Sequence, residues 1–165
     1  MNVSGIVKNS VVDGPGVRMG IFLQGCPHHC KGCHNPDTWD YEGKCFKMSV
    51  NEILEIFDND TILSGITLSG GEPFSPIHFK EVSELCKAIK ERKRNVWAYT
   101  GYTIEALVDK YPEVKENILP YVDVLVDGPF IIEERDFLCT FRGSKNQKLI
   151  DVAKYLKDEE NYIIE

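Results

Sequence analysis

The stretch Cys26-Pro27-His28-His29-Cys30-Lys31-Gly32-Cys33 sets three thiols in a C-x3-C-x2-C spacing. Thiolates this close together can wrap one compact metal centre, and soft sulfur ligands select iron–sulfur clusters, zinc or copper(I). The alternatives differ in chemistry. His34 directly follows Cys33 and Cys45 lies further on, so a closed zinc site of three cysteines and a histidine, or of four cysteines, can be written. A four-iron cluster held by only three thiolates instead leaves one iron open to an exogenous ligand, as an open catalytic metal site does. A second chemistry-bearing segment is Thr67-Leu68-Ser69-Gly70-Gly71-Glu72-Pro73. Gly70 and Gly71 permit close approach of backbone to a ligand, and Glu72 offers acceptors to an amine. The same residues also suit a plain turn at a strand end. Upstream, Asp13-Gly14-Pro15-Gly16-Val17-Arg18 places Pro15 and Gly16 at the second and third positions of a type II turn.

The elements that must carry these segments follow from hydrophobic patterning. Gly16 to Gly25, Gly65 to Ser69, Asn95 to Thr100 and Val122 to Asp127 are apolar and rich in β-branched residues. Near-continuous hydrophobicity of this kind predicts parallel strands covered on both faces. Helices are predicted between them. Ser49 and Glu52 form a capping box ahead of Val50, Ile53, Leu54 and Phe57. His78 to Lys93 sets Phe79, Val82, Leu85, Cys86 and Ile89 on one face, which makes Cys86 a core thiol. Thr103 caps a helix bearing Ile104, Leu107 and Val108. From Gln147 onward a short strand or loop, then a helix, is expected. Strand–helix alternation implies right-handed βαβ units, whose ligand sites lie beyond the C-terminal strand ends. Cys26, Gly70-Gly71-Glu72, Gly101-Tyr102 and Gly128-Pro129 each follow a strand, so one end of the sheet gathers them.

Composition bounds the function classes. The 165 residues are 42% apolar and 27% charged, with 19 Lys plus Arg against 26 Asp plus Glu and a net charge of −7. These values describe one ordinary globular domain, and an acidic chain is a poor candidate for nucleic acid. No apolar run approaches the ~20 residues of a membrane span. The Met1-Asn2-Val3-Ser4-Gly5 start lacks a secretory pattern, so a reducing cytoplasm is expected, where clustered cysteines read as a metal site rather than as disulfides.

The cysteine loop after a strand, followed one βα unit later by Gly70-Gly71-Glu72, resembles the radical S-adenosylmethionine (SAM) superfamily. The Asp13–Arg18 segment is similar to that of activases of glycyl-radical enzymes. Trp97-Ala98-Tyr99-Thr100-Gly101-Tyr102, Asp123 to Phe130 (DVLVDGPF) and Phe141 to Gln147 (FRGSKNQ) narrow the resemblance to activases that serve an anaerobic ribonucleoside-triphosphate reductase. It runs from about Val12 to about Val152. His34 stands where these proteins often carry Tyr, and Gly32 where larger relatives carry an aromatic or aliphatic residue, so Gly32 offers only its backbone.

The resemblance implies that Cys26, Cys30 and Cys33 hold a [4Fe-4S] cluster and that SAM chelates its open iron. The implied contacts to SAM come from Gly32, Cys33, His34, Gly70, Gly71 and Glu72, the last toward its amino group. It further implies reduction by flavodoxin or ferredoxin, and a 5′-deoxyadenosyl radical that takes hydrogen from a glycine Cα in the large catalytic subunit of the reductase. Hydrogen-atom abstraction needs no general base, so His28 and His29 are expected to be solvated or outer-shell residues. The implied fold is α/β, a partial, open β/α barrel of the radical SAM type with a mostly parallel sheet, in a single domain over 1–165. A closed eight-fold barrel typically takes ~250 residues, and an open side admits a segment of another protein. Two other readings stand beside this one. One is a different short radical SAM enzyme acting on a small molecule, against which Asp13–Arg18 and Phe141–Gln147 argue. The other is a zinc-stabilised binding module. Cys45, Cys139, Asp127 and Arg142 receive no assigned role.

Overall fold

The computed structural model describes residues 1–165. In chain order its elements are β1 (Asn2–Ser10), β2 (Arg18–Leu23), β3 (Phe46–Lys47), α1 (Val50–Asp58), β4 (Gly65–Gly70), α2 (Phe79–Glu91), β5 (Asn95–Tyr99), α3 (Ile104–Lys110), α4 (Pro112–Asn117), β6 (Val124–Asp127), β7 (Lys148–Asp151) and α5 (Val152–Leu156). All seven strands form one sheet in the order β3-β1-β2-β4-β5-β6-β7, which does not close on itself. The central strands β2, β4, β5 and β6 run parallel. The flanking pairs β3–β1, β1–β2 and β6–β7 are antiparallel. Parallelism is therefore confined to the middle of the sheet, where the predicted βαβ units lie.

Each crossover steps in the same direction along the sheet, so right-handed connections put α1, α2 and α3 on one face. The burial pattern agrees. Met19, Ile21 and Leu23 of β2, Ile66 and Leu68 of β4, Val96 and Ala98 of β5 and Leu125 of β6 share one 27-residue core with Phe57 of α1, Leu85 of α2 and Leu107 of α3. The alternate positions face the other way and are of a different kind. They include Arg18, Gly20, Thr67, Ser69, Trp97 and Tyr99. There, Trp97, Val126 and Leu149 make only a small second cluster with Tyr99, Val124 and Phe141 packed against it. Both faces of the central strands are buried, as expected, but they are covered differently. One face takes the helices, and the other is an inner surface of polar and aromatic side chains, which is why an arginine and a threonine occur inside strands that otherwise read as apolar.

Local signals explain the helix starts. At Ser49 the hydroxyl accepts from Glu52 N at 3.2 Å while Ser49 N donates to Glu52 Oε2 at 2.7 Å, which completes the capping box. Thr103 Oγ1 accepts from Ala106 N at the start of α3. Asp127 Oδ2 accepts from Ile104 N at 2.8 Å, so this buried carboxylate secures the first turn of the same helix. Burial raises its pKa above the usual carboxylate value.

Arg18 holds the Asp13–Arg18 turn against the sheet. It is fully buried. Its Nε donates to Thr67 Oγ1 at 2.8 Å, and its Nη atoms donate to Asn95 Oδ1 at 2.6 Å, Ile66 O at 2.6 Å and Pro15 O at 3.2 Å. Thr67 Oγ1 in turn donates to Asp13 O at 2.7 Å. No carboxylate bonds the guanidinium, and burial lowers its pKa to about 10.

Candidate iron–sulfur and cofactor site

The four strand-end segments are chained together by backbone hydrogen bonds at one end of the sheet. Gly71 N donates to Leu23 O and Glu72 N to Gly25 O, both at 2.8 Å. Thr100 N donates to Val126 O at 3.0 Å and Gly128 N to Tyr102 O at 2.7 Å. The glycines at 70 and 71 serve this closure. Gly70 has φ +89°, and a Cβ there would stand 2.7 Å from Leu23 N; a Cβ on Gly71 would strike the carbonyl oxygen of Gly25. What approaches these glycines most closely is thus the protein's own neighbouring strand end rather than open space for a ligand.

The cysteine loop leaves β2 and is fixed on its outer side by the return of the chain. Gly25 N donates to Thr38 O at 2.7 Å and Cys26 N to Trp39 O at 3.1 Å. The side chain of Gln24 donates to Asp37 O and Asp40 O, at 3.0 and 2.6 Å. His29 stacks on Trp39 with centroids 4.8 Å apart. Behind the loop, fully buried His78 donates from Nε2 to Gln24 O at 2.9 Å. Burial lowers the pKa of His78 below 6.5; the N-terminal amine also lowers it, while the bond to Gln24 and the charges of Glu81 and Glu72 act the other way. A depressed histidine is neutral when folded and takes up a proton on unfolding. The stability it allows is full above pH 6.5 and is lost as pH falls below that value toward the folded pKa. The unfolding free energy of the wild type is therefore expected to drop between pH 7 and pH 5, by at most about 1.4 kcal/mol per pH unit. His78→Gln is expected to flatten that slope. A urea titration at several pH values checks this.

The three cysteines sit differently. Cys26 is 9% exposed, and burial pushes its thiol up to about 11. Cys30 and Cys33 are partly exposed and line a cavity of about 700 Å³ on the inner face of the sheet, together with Phe22, Ser69, Tyr99 and Phe141. Asn35 N donates to Cys33 Sγ at 3.3 Å, the kind of N–H···S bond that tunes iron–sulfur clusters. A tetrahedral zinc requires its sulfurs about 2.3 Å from one point. His34, the histidine that a closed site of three cysteines and a histidine would use, lies against Phe130, ring centroids 5.3 Å apart. A cubane instead takes one thiolate per iron corner. Three thiols on one strand-end loop, two of them on the wall of a roomy cavity, supply the donor set of such a cluster.

Glu72 joins the strand-end segments of the site. It is fully buried. Its Oε1 accepts from Phe74 N at 3.0 Å, and its Oε2 accepts from Gly101 N at 3.0 Å and from His28 Nε2 at 2.7 Å. The Thr100 hydroxyl donates to both oxygens, at 3.0 and 2.9 Å. A carboxylate has about four lone-pair sites, and four protein donors fill them. The carboxylate thus joins the cysteine loop, through His28, to the ends of β4 and β5. The ring of His28 fills the space a Cβ on Gly101 would need, and the edge of Tyr102 packs on it at 4.3 Å. His28 is thus tied to the end of β4 through Glu72 rather than free in solvent. Thr100 and Gln24 were not singled out from the sequence; each is a lone polar residue at a strand end with no motif around it.

The remaining assignments divide. Gly32 abuts Ile132 from the segment after β6, which fills the place of a Cβ. Cys86 is fully buried, with its pKa raised to about 12, in keeping with a core thiol. Cys139 lines the same cavity as Cys30 and Cys33, whereas Cys45 lies in the loop before β3. Arg142 is tied inward, donating to Gln147 O at 2.8 Å and to Glu165 Oε1 at 3.1 Å.

A family described as a 4Fe-4S single cluster domain matches residues 12–150. Curated relatives include proteins named anaerobic ribonucleoside-triphosphate reductase-activating protein. That of Vibrio cholerae is 38% identical over 152 residues, covering 89% of this chain and 96% of the relative. That of Enterobacteria phage T4 is 35% identical over 155 residues, covering 90% and 93%. That of Escherichia coli is 32% identical over 152 residues, covering 89% and 96%. With its three cysteines at the strand ends and these likenesses over nearly its whole length, the chain belongs to the 4Fe-4S single cluster domain family, among its anaerobic ribonucleoside-triphosphate reductase-activating proteins.

Proposed function

We propose that this protein is an activase that makes a glycyl radical on the large catalytic subunit of an anaerobic ribonucleoside-triphosphate reductase. With a [4Fe-4S] cluster and SAM bound, and an electron from flavodoxin or ferredoxin, the cofactors supply reductive cleavage of the sulfonium to methionine and a 5′-deoxyadenosyl radical that takes hydrogen from a glycine Cα. The observation that carries the reading is the C-x3-C-x2-C loop at the strand ends of a chain whose relatives bear the activating name.

Cys26, Cys30 and Cys33 hold the cluster, leaving one iron without a protein ligand. Gly32, Cys33 and His34 bound the SAM position on the cysteine loop, and Gly70, Gly71 and Glu72 bound it from the end of β4. Glu72 serves there as the anchor of its segment, since protein donors occupy its carboxylate. The inner face presents the aromatic rings of Phe22, Tyr99 and Phe141 to the cavity, and hydrogen-atom transfer there needs no general base. On this reading the open, mostly parallel sheet serves as a partial β/α barrel of the radical SAM type, and residues 1–165 act as one domain. Six unpaired cysteines suit the reducing cytoplasm. No helix is long and apolar enough to cross a membrane.

Incubation of the anaerobically reconstituted protein with SAM, a low-potential reductant and the large reductase subunit is expected to yield 5′-deoxyadenosine and a glycyl EPR signal. SAM cleavage without that signal contradicts the partner and favours a small-molecule enzyme. Stoichiometric zinc without sulfide contradicts the whole reading.

A further inference from the structure

The four most exposed large apolar side chains of the protein are Leu138, Phe137, Val12 and Val11, at 89%, 85%, 72% and 66%. They come from two segments far apart in sequence, the turn between β1 and β2 and the connection between β6 and β7. Both segments border one cavity. Val11, Val12 and Phe137 line it, as do Cys30 and Cys33, and Leu138 lies between the lining residues Phe137 and Cys139.

These side chains are presented on built structure. The Val11–Val12 turn is fastened by the bond of Ser10 Oγ to Asp13 Oδ2 and by Val12 N donating to Ser10 Oγ at 3.4 Å. In the other segment, Leu138 N donates to Asp136 Oδ1 at 2.8 Å, Lys145 N donates to Glu134 O at 2.9 Å, and Lys145 pairs with Asp136 at 3.4 Å. The guanidinium of Arg135 lies 4.4 Å from the centroid of the Phe137 ring. Holding a phenylalanine and a leucine almost fully in water gains the fold nothing. Exposed apolar side chains gathered around one opening mark a surface that another molecule covers.

We propose that Val11, Val12, Phe137 and Leu138 are the docking rim for the glycine-bearing segment of the large reductase subunit. The inference rests on the activase reading above and adds to it the surface that receives the protein substrate. Hydrogen transfer requires reacting atoms within about 3–3.5 Å, so a glycine activated at this site must enter the cavity whose wall carries Cys30 and Cys33. A small-molecule substrate enclosed by the cavity would leave the outward-facing Phe137 and Leu138 uncovered. A polypeptide threading into it, with the rest of its domain outside, covers both sides of the mouth at once. Apolar side chains that a partner covers add binding energy in proportion to the area they remove from water.

The test uses two double variants of the full chain, Val11→Ser/Val12→Ser and Phe137→Ser/Leu138→Ser, both reconstituted anaerobically. Because the four side chains are exposed, melting temperature, iron and sulfide content and partner-free SAM cleavage are expected to match wild type. Binding to the large reductase subunit, measured by calorimetry, is expected to weaken at least about tenfold in each variant. The subunit concentration for half-maximal radical yield is expected to rise in proportion, with the yield at saturation unchanged. Wild-type affinity in both variants overturns the proposal. So does a loss of SAM cleavage in the absence of the partner, which would assign the rim to the cofactor site, and so does an altered oligomeric state with partner affinity intact, which would assign it to a second copy of this chain. If wild type binds the subunit, the variants do not, and no glycyl signal forms with any of them, the rim stands and the activase reading fails.

Discussion

Glu72→Ala is expected to lower the stability of the cluster-free protein by roughly 3–5 kcal/mol, the range for removing one partner of a buried charged network. Four donors converge on this carboxylate from three different strand-end loops: Phe74 N, Thr100 Oγ1, Gly101 N and His28 Nε2. Alanine leaves all four without their acceptor. In a chain of this length the melting temperature is expected to fall by on the order of 10 °C. Glu72→Gln is expected to fall between the two, because one carboxamide oxygen still accepts while its NH2 group confronts donors. His28→Ala removes a single bond at the edge of the network and is expected to cost about 1–2 kcal/mol. The His28→Ala/Glu72→Ala double variant should then lose less than the sum of the two, since they share one interaction. Thermal melts of the four proteins check the set. A Glu72→Ala protein as stable as wild type would show that the carboxylate does not join these loops.

Cys30→Ala is expected to reduce iron and sulfide after anaerobic reconstitution from about four of each per chain to near none, while the cluster-free fold stays within about 1 kcal/mol of wild type. The separation of the two effects follows from placement. Cys30 is partly exposed on the cavity wall and contributes no core packing. Cys86 supplies the opposite control. It is fully buried on α2 among the core residues, so Cys86→Ala is expected to lose about 1–2 kcal/mol through the cavity it leaves, with iron content intact. Colorimetric iron and sulfide assays beside urea melts distinguish the two variants. Equal loss of iron in both would mean that the cluster depends on global stability rather than on the loop thiols.

The parallel strands, the helices starting after Ser49, His78 and Thr103, and the gathering of the cysteine and glycine segments at one sheet end were all legible in the sequence, because each rests on periodicity or on a local cap. β1 escaped that reading. Its residues Asn2-Val3-Ser4-Gly5-Ile6-Val7-Lys8-Asn9-Ser10 alternate weakly and are largely half-exposed, and an antiparallel flanking strand draws its stability from a partner found only in the fold. α4 escaped for a similar reason. Its Pro112–Asn117 turn buries only Val114, too little apolar content to set a period. The two faces of the central strands could not be told apart from composition. Gly20, Thr67 and Ser69 look like interruptions of apolar runs until the sheet shows that they share one side.

At the site, residue types foretold which segments meet, and pairing decided what each does. Glu72 was legible as a functional acidic residue after two glycines. That protein donors fill its lone pairs depends on His28 and Thr100, which lie 44 and 28 residues away along the chain. Asp127 was likewise visible as a strand-end acid, and only the close approach of Ile104 N makes it the anchor of α3. Long-range hydrogen bonds of this kind leave no trace in spacing.

The central claim is an iron corner left without a protein ligand by Cys26, Cys30 and Cys33. Its most direct measurement is the EPR spectrum of the anaerobically reconstituted, reduced protein before and after addition of SAM. A reduced [4Fe-4S] signal whose g-values shift on SAM binding is the predicted result, whereas a protein carrying zinc without sulfide, or a cluster signal that SAM leaves unchanged, would contradict the account.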